Sequence, residues 1–278
     1  MKSDEAKNLS NQALAELQQS LEAGRSDTLQ RFLDYMGRFH EYSWNNCLLI
    51  AFQMPNASRV AGFRRWLKLG RHVRKGEKGI GILAPLAYRK SQETDDQDDD
   101  SQALIRGFKV VHVFDVSQTE GEELPQLASL HGDPGEYLPR LECLIRDSGI
   151  RLTDEPLPTG TKGVSRKGEI AIAQGLPQAE RFAVLAHELS HEWMHDGEHR
   201  RQMTRTVRET EAEAVAFVVC RAFGFDCSTR SSDYIQLYRG DATTLAESLQ
   251  RIQKTATRII QSLDETRQSA EEGERDVA

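Results

Sequence analysis

The segment His187-Glu188-Leu189-Ser190-His191 constrains this chain more than any other part of its sequence. Two histidines four residues apart lie one above the other on one face of an α-helix, so their imidazole rings can converge on one metal ion. The glutamate after the first histidine then lies beside that ion, where it can accept a proton from an attacking water. We therefore predict that His187 and His191 bind zinc and that Glu188 is the catalytic base.

A catalytic zinc site needs a third protein ligand and an open fourth position. Residues 208–219 form a second predicted helix that offers three carboxylates. Glu209 and Glu213 share one face of this helix, whereas Glu211 lies about 200° around it from Glu213. Glu213 leads into an apolar run, where a carboxylate is costly unless it is paired or bound to metal. We expect Glu213 to be the third ligand, with Glu209 as the alternative. Glu211 faces solvent or holds a ligand histidine.

The surroundings of the motif indicate how a peptide substrate would be handled. His195 follows His191 by one turn, but Gly197 ends the helix near it, so we expect a structural or supporting role. Residues 168–173 read as an edge strand against which an extended peptide can lie. Tyr234 and Tyr238 are candidates for stabilising the oxyanion. The motif thus predicts a peptidase in which Glu188 passes the proton to the leaving amine.

The composition is that of a chain able to form packed cores. Its 278 residues suit two domains of ordinary size. No stretch approaches the run of about eighteen apolar residues that a membrane helix needs. Residues 1–7 lack the apolar segment of a signal peptide, so we expect a cytoplasmic protein that does not contact membranes. The four cysteines show no Cys-x-x-Cys spacing, and we expect them to remain thiols.

The order of helical and strand-like segments favours an α+β fold. Residues 4–54 have helical apolar spacing, and two strand-like segments flank an acidic run that we expect to be a hairpin loop, residues 91–103. Glycines and prolines between 121 and 135 mark a domain boundary. We predict a helical and β N-terminal domain, a linker, a mainly helical zincin-like domain and a disordered tail, at residues 1–125, 126–135, 136–263 and 264–278.

The net charge of −7 conceals a basic segment. Residues 59–78 carry eight Lys or Arg residues against one acid, and a local charge opposite to that of the chain favours a polyanionic partner. Aromatic rings among the cations suit single-stranded nucleic acid, whose bases stack on rings while cations follow the phosphates. The alternative for Phe63 and Trp66 is a place in the core. The candidate contacts are Arg59, Arg64, Arg65, Trp66, Lys68, Arg71, Arg74, Lys75 and Lys78.

Two sets of motifs resemble known families. The sequences WLKLG at 66–70, VRKGEKG at 73–79 and VFDVSQTEG at 113–121 are similar to the pattern of ArdC antirestriction proteins. The motif at 187–191, followed by EAVAF at 213–217, is similar to ImmA/IrrE-type metallopeptidases. The resemblance implies an N-terminal domain that binds single-stranded DNA and a C-terminal zinc metallopeptidase domain. Asp115, where asparagine is common in the family, and the acidic run at 93–100 depart from its pattern.

We therefore expect a zinc peptidase that binds single-stranded DNA, cleaves DNA-associated or regulatory proteins and serves antirestriction. Two alternatives stay open at the level of sequence. The first is a protein that occludes DNA without proteolysis and carries a structural zinc. The second is a peptidase that cleaves a repressor and docks on a protein partner through its basic segment.

Overall fold

The structure, a computed structural model, describes residues 2–23, 26–88, 104–124, 133–195, 203–225 and 242–275. The predicted acidic loop, residues 91–103, lies outside these ranges, and the predicted linker is described only from residue 133 onward. The α+β fold class is confirmed. Its helices and strands, in chain order, are α1 (Ser3–Glu22), α2 (Ser26–Arg38), α3 (Trp44–Gln53), β1 (Val60–Gly62), α4 (Phe63–Lys68), β2 (Arg71–Val73), β3 (Ile80–Tyr88), β4 (Leu104–Asp115), β5 (Thr119–Gly121), α5 (Tyr137–Asp147), β6 (Arg151–Glu155), β7 (Gly163–Ser165), β8 (Glu169–Ala173), α6 (Gln178–Met194), α7 (Arg205–Ala222) and α8 (Ala242–Arg275).

The chain forms two compact units whose boundary differs from the predicted one. The first unit contains Met1–Leu14 and Asn45–Leu124, and the second contains Ala15–Trp44 and Pro125–Ala278. Helix α2, which we assigned to the N-terminal domain, therefore belongs to the second unit, where it packs against α7. Helix α8 continues to Arg275, where we expected a disordered tail from residue 264, because this polar stretch is rich in good helix formers.

Two small antiparallel sheets organise the first unit. Strands β1, β4 and β3 form one sheet in that order, and β2 pairs with β5 in the other. A turn between β4 and β5 is fixed by Asp115, whose carboxylate accepts hydrogen bonds from the backbone N–H groups of Ser58, Arg59 and Ser117. Asp115 is buried, and these bonds lower its pKa although burial by itself would raise it.

Helix α3 protects the outer edge of β3. Asn46 and Gln53 lie seven residues apart, two turns of helix, and thus share one face. The side-chain amide of Asn46 both donates to and accepts from the backbone of Leu83, at 2.9 Å in each direction. Gln53 does the same at Gly81, at 2.8 and 3.0 Å. These amides occupy the backbone groups that an edge strand would otherwise expose to another chain.

The second unit has a three-stranded sheet with the order β6-β8-β7. Strand β8 is parallel to β6 and antiparallel to β7, and Ile170, Ala171 and Ile172 at its centre are buried. The predicted edge strand at 168–173 is therefore wrong, because β8 is flanked on both sides. The edge strand on this side of the sheet is β7, which has too few residues for its sequence to reveal it.

In the second unit, helices α2, α5 and α8 pack around the pair formed by α6 and α7. Helix α7 contacts α6, α2 and α8, and every residue of α7 from Ala214 to Cys220 is buried. Gly37 allows the close approach of α2, since a Cβ at this position would lie 2.9 Å from the carbonyl oxygen of Val218. Phe182 packs with Phe225 at 5.2 Å between ring centroids. The two helices that carry the predicted metal ligands are thus held in a rigid, apolar setting.

Two further features bear on the sequence expectations. Among the described residues, no helix has both the length and the apolar character needed to cross a membrane.

Cys47 and Cys143 are free thiols, as expected, but Cys220 is disulfide-bonded. The expectation that all four cysteines remain thiols is therefore wrong for Cys220.

Candidate metal centre

The two histidines of the motif converge with a carboxylate from α7. The Nε2 atoms of His187 and His191 lie 3.1 Å apart on one face of α6. Oε2 of Glu209 lies 3.5 Å from each of these nitrogens. One ligand atom from each of the three residues therefore falls within 4.8 Å of the other two, as a shared metal ion requires. The crossing of α6 and α7 is what brings the three side chains together.

Glu213 takes a different position from the one expected of a ligand. Its Oε2 lies 3.4 Å from Nδ1 of His187, on the side of the ring away from Nε2. A carboxylate there accepts a hydrogen bond from Nδ1–H and fixes the tautomer that leaves Nε2 free to bind metal. The structure thus groups Glu209, rather than Glu213, with the converging nitrogens.

The carboxylates near the two histidines shift the pKa values of the cluster. Burial would lower the pKa of His187, but hydrogen bonds to Glu209 and Glu213 outweigh it and raise the pKa to about 9. Hydrogen bonds to His187 and His191 hold the pKa of Glu209 far below its usual range. The cluster therefore concentrates negative charge around two imidazoles, which favours a divalent cation between them.

Glu188 lies buried beside the two histidines. Burial is the main reason that its pKa is raised to about 7, while His187 opposes the shift and Glu209 adds to it. The Glu188 carboxylate accepts a hydrogen bond from the backbone N–H of Ser165 in β7. A carboxyl with a pKa near neutrality is suited to take up and release a proton at physiological pH.

A cleft of about 450 Å³ opens on this cluster. Strand β7 forms one wall, and the start of α7 contributes Arg205 and Arg208 to the rim. The lining residues are Thr161, Gly163, Val164, Ser165, Glu188, His191, His195, Arg205, Arg208 and Glu209. Ala173 donates to the carbonyl of Lys162, and Arg166 donates to that of Glu169. The backbone groups of Gly163 and Ser165 therefore point away from β8, toward the cleft side.

His195 and Glu211 lie behind His191 and are buried. Nδ1 of His195 is 3.0 Å from Nδ1 of His191, and Nε2 of His195 is 3.1 Å from Oε2 of Glu211. Glu211 also accepts hydrogen bonds from Ser248 and Arg251 of α8. Glu211 therefore does not face solvent. It is linked to the predicted ligand His191 through His195, which lies between Glu211 and His191.

Sequence reasoning missed Glu192, which joins the β7–β8 turn to α6. Its carboxylate accepts hydrogen bonds from Ser165 Oγ and, at 2.7 Å, from the backbone N–H of Gly168. The turn itself contains Lys167 and Gly168, both with positive φ angles. Only the tertiary structure shows the link, since Glu192 reads in the sequence as an ordinary polar residue on an amphipathic helix. The predicted oxyanion candidates Tyr234 and Tyr238 lie outside the described residues.

The predicted nucleic-acid contacts do not form a uniform set. Trp66 is only 2% exposed, and its indole Nε1 donates to the carbonyl of Phe114 at 2.9 Å. Its predicted role in stacking on bases is therefore inconsistent with its position in the core. Phe63, on the same helix, is 49% exposed and presents a ring to solvent.

Two of the predicted cations brace the structure. Arg71 donates to the side chain of Thr119 at 2.8 Å and to backbone carbonyls of β5, which ties β2 to β5. Arg74 forms a salt bridge with Glu77 at 2.9 Å. Arg59 is half-buried. The exposed cations that are not part of these two links are Arg64, Arg65, Lys68, Lys75 and Lys78.

Two family models match successive parts of the chain. Residues 3–114 match the family model of the N-terminal domain of anti-restriction factor ArdC. Residues 145–223, which include the metal cluster, match the model of the IrrE N-terminal-like domain of the M78 peptidase family. The first of these stretches is therefore similar to the N-terminal domain of ArdC, and the second is similar to IrrE-like domains. The resemblance predicted from the motifs is thereby confirmed.

Two solved structures share this fold, and one further protein is similar in sequence. The crystal structures of antirestriction ArdC protein from the R388 plasmid, metal-free and Mn(II)-bound, superpose with TM-scores of 0.53 and 0.51 at 18% and 17% identity. Each match covers 92% of this chain, with 98% and 97% of the two ArdC chains, and shows a shared fold. An uncharacterized Bacillus anthracis protein, pXO2-81, is 22% identical over 275 residues, covering 83% of this chain. This chain spans about half, 47%, of the length of that relative.

Proposed function

We propose that this ArdC-like chain is a zinc-dependent peptidase whose N-terminal module binds single-stranded DNA and which serves antirestriction. The observation that carries the proposal is the convergence of His187, His191 and Glu209 on one point beside a buried Glu188. Antirestriction acts on DNA inside the cell, so we place the action of the protein in the cytoplasm.

The donor set fits a divalent metal. Two imidazole nitrogens and one carboxylate are the ligands of many catalytic zinc sites. The Mn(II)-bound structure of the R388 ArdC protein supports metal binding at an ArdC-like fold. We propose His187, His191 and Glu209 as the ligands of this chain, with Glu213 orienting His187. When bound, the metal supplies a Lewis acid that polarises the scissile carbonyl and makes water more acidic.

The remaining groups of the cleft have roles that follow from their positions. Glu188 accepts a proton from the attacking water and returns it to the leaving amine, for which a pKa near neutrality is suitable. The backbone groups of Gly163 and the carbonyl of Ser165 offer an edge along which an extended peptide adds as a strand. Val164, also in the wall of the cleft, contributes apolar surface to a neighbouring side chain of the peptide.

The peptidase proposal is tested by Glu188→Gln, which keeps the size of the side chain and removes its basic function. We expect the variant to bind zinc with an affinity close to that of the wild type and to lose peptide cleavage by at least about a hundred-fold. Cleavage is followed on a mixture of DNA-binding proteins and on a peptide library. Undiminished cleavage by Glu188→Gln would remove Glu188 from the mechanism.

The DNA-binding part of the proposal rests on the exposed cations of the basic segment and on Phe63. Cations follow phosphates while an exposed ring offers a stacking face, which suits a single strand better than a duplex. Fluorescence anisotropy of a labelled single strand and a matched duplex, at two salt concentrations, tests this. We expect a preference for the single strand that weakens with salt. An affinity unaffected by salt would exclude recognition of phosphates by these cations.

The two alternatives make different predictions. A protein that occludes DNA without proteolysis retains antirestriction activity in Glu188→Gln and loses it when Arg64, Arg65 and Lys75 are reversed in charge. A peptidase that cleaves a repressor and docks on a protein partner through its basic segment loses activity in Glu188→Gln and shows no salt-sensitive DNA binding. The Glu188 variant and the salt titration together therefore separate the three functions.

A further inference from the structure

Behind the metal cluster, a continuous line of hydrogen bonds runs from His191 to α8. His195 is 2% exposed and Glu211 is fully buried. The line passes from His191 Nδ1 to His195 Nδ1 at 3.0 Å, and from His195 Nε2 to Glu211 Oε2 at 3.1 Å. It ends at Arg251, whose guanidinium donates to Glu211 at 2.6 Å. A buried carboxylate is costly without such partners, so Glu211 needs these hydrogen bonds to remain in its position.

The two nitrogens of an imidazole ring differ in role, which determines the donor and the acceptor in each hydrogen bond of this line. If His191 binds a metal through Nε2, its Nδ1 carries a hydrogen and must donate. The only ring atom of His195 within reach of it in the described structure is Nδ1, which therefore accepts. A neutral imidazole that accepts at Nδ1 carries its hydrogen on Nε2, which donates to Glu211. Every donor thus meets an acceptor from His191 to Glu211, and one tautomer of each ring satisfies both contacts.

The far end of the line is anchored outside the part of the chain that matches the IrrE-like family model. That match ends at residue 223, whereas Ser248 and Arg251 belong to α8. Ser248 donates to Glu211 at 2.6 Å, and Arg251 also donates to Ser248 at 3.1 Å. Glu211 is therefore held in place by α8 as well as by its own helix. The orientation of His191 depends in this way on a helix that contributes no ligand.

We propose that His195, Glu211 and Arg251 are positioning residues that hold His191 in the orientation and tautomer required for metal binding. The inference rests on the proposed function, since it takes His191 to be a metal ligand. It assigns to α8 a role in the metal site. The Nδ1 atom of His187 contacts the carboxylate of Glu213 directly. The Nδ1 atom of His191 instead contacts His195, which in turn contacts a carboxylate. Outer partners of this kind typically change metal affinity by about 10- to 100-fold when they are removed.

The test uses the full chain and measures zinc affinity by competition with a chromophoric chelator. His195→Leu removes both ring nitrogens, and we expect it to weaken zinc binding by about 10- to 100-fold. In His195→Gln the amide oxygen and nitrogen can accept from His191 and donate to Glu211, so we expect most of the affinity to return. Arg251→Met should weaken binding less than His195→Leu. Lys254→Met, on the exposed side of the same helix, is the matched control and should leave the affinity unchanged.

Heteronuclear NMR of the histidine ring nitrogens in the zinc-loaded wild type tests the direction of the line without any variant. We expect hydrogen on Nδ1 of His191 and on Nε2 of His195. Circular dichroism and thermal unfolding of each metal-free variant establish that it is folded. A folded His195→Leu with wild-type zinc affinity would overturn the inference, as would a His195 ring protonated on Nδ1 alone. If the wild type binds no zinc at all, the proposed function itself fails, which is a distinct result.

Discussion

Gly163 of β7 faces the carboxylate of Glu188 with no room for a side chain between them. A Cβ built on Gly163 would lie 2.8 Å from Oε1 of Glu188, 2.9 Å from its Cγ and 2.6 Å from Val184 Cγ1. Real Cβ atoms do not approach other heavy atoms this closely, so the glycine is required for space. The absence of a side chain at position 163 is thus what allows the edge strand of the cleft to approach the proposed catalytic base.

Gly163→Ala is therefore expected to displace Glu188 rather than the metal ligands. We predict that peptide cleavage falls by at least about ten-fold while zinc affinity changes little, with an overpacking cost of about 1–3 kcal/mol in the free energy of unfolding. Gly62→Ala is the control, since a Cβ at Gly62 would meet nothing within 4 Å. Cleavage kinetics and zinc titration of both variants check the prediction, and equal cleavage by Gly163→Ala and the wild type would contradict it.

The third metal ligand is tested by comparing Glu209→Gln with Glu213→Gln. Glu209 lies near the Nε2 atoms of both histidines, whereas Glu213 contacts Nδ1 of His187. We predict that Glu213→Gln weakens zinc binding by about 10- to 100-fold, as expected for a group that orients a ligand, and that Glu209→Gln weakens it further. Zinc titration in competition with a chelator gives both affinities. The reverse order would identify Glu213 as the ligand, the assignment first made from the sequence.

Asp115 is expected to make the stability of the first unit depend on pH. Its pKa in the folded protein is below the usual 3.8, because backbone N–H groups bind the carboxylate strongly enough to outweigh burial. A carboxyl of this kind contributes stability above about pH 4 and loses that contribution as the pH falls through its folded pKa. We predict that Asp115→Asn lowers the free energy of unfolding at neutral pH by about 1–3 kcal/mol.

The difference between Asp115→Asn and the wild type should then shrink in acid, as measured by urea unfolding at a series of pH values. The exposed Glu123 provides the control, and Glu123→Gln is expected to change the free energy of unfolding little at any pH. A stability difference that stays constant down to the acid range would show that the charge on Asp115 is not what the turn requires.

The two aromatic residues of α4 are predicted to have separate roles. Trp66→Phe loses the hydrogen bond to Phe114 and some buried volume, so we expect the melting temperature to fall while DNA binding by the folded protein is unchanged. Phe63→Ala removes an exposed ring, and we expect the affinity for a single strand to fall by about 1–3 kcal/mol per stacked base. Thermal unfolding and fluorescence anisotropy of both variants distinguish the two roles. Weaker DNA binding by a stable Trp66→Phe, or a lower melting temperature with unchanged DNA binding in Phe63→Ala, would refute this assignment.

Local sequence determined the parts of the site that lie within one helix. The four-residue spacing of His187 and His191 places both rings on one face of α6, and the next residue after His187 turns into the protein beside them. The same spacing puts Glu209 and Glu213 on one face of α7. The α+β class also follows from local patterns, because the helical and strand-like periods are visible in short windows.

The tertiary structure decided which of these residues meet. Whether Glu209 or Glu213 lies nearer the converging nitrogens depends on where α6 and α7 cross, and that crossing is set by packing over many residues. The burial of Trp66 depends on β4, whose Phe114 is 48 residues away in the sequence. The place of β8 at the centre of its sheet depends on β6 and β7.

The hydrogen bonds that run from His191 to α8 also combine a contact visible in the sequence with contacts that only the tertiary structure forms. The separation of four residues between His191 and His195 is visible in the sequence, and it allows a contact along the helix. The hydrogen bonds of Glu211 to Ser248 and Arg251 span 37 and 40 residues. Short-range spacing follows from helix geometry, which is the same in every helix, whereas contacts between distant segments form only where the buried surfaces of a particular fold bring them together.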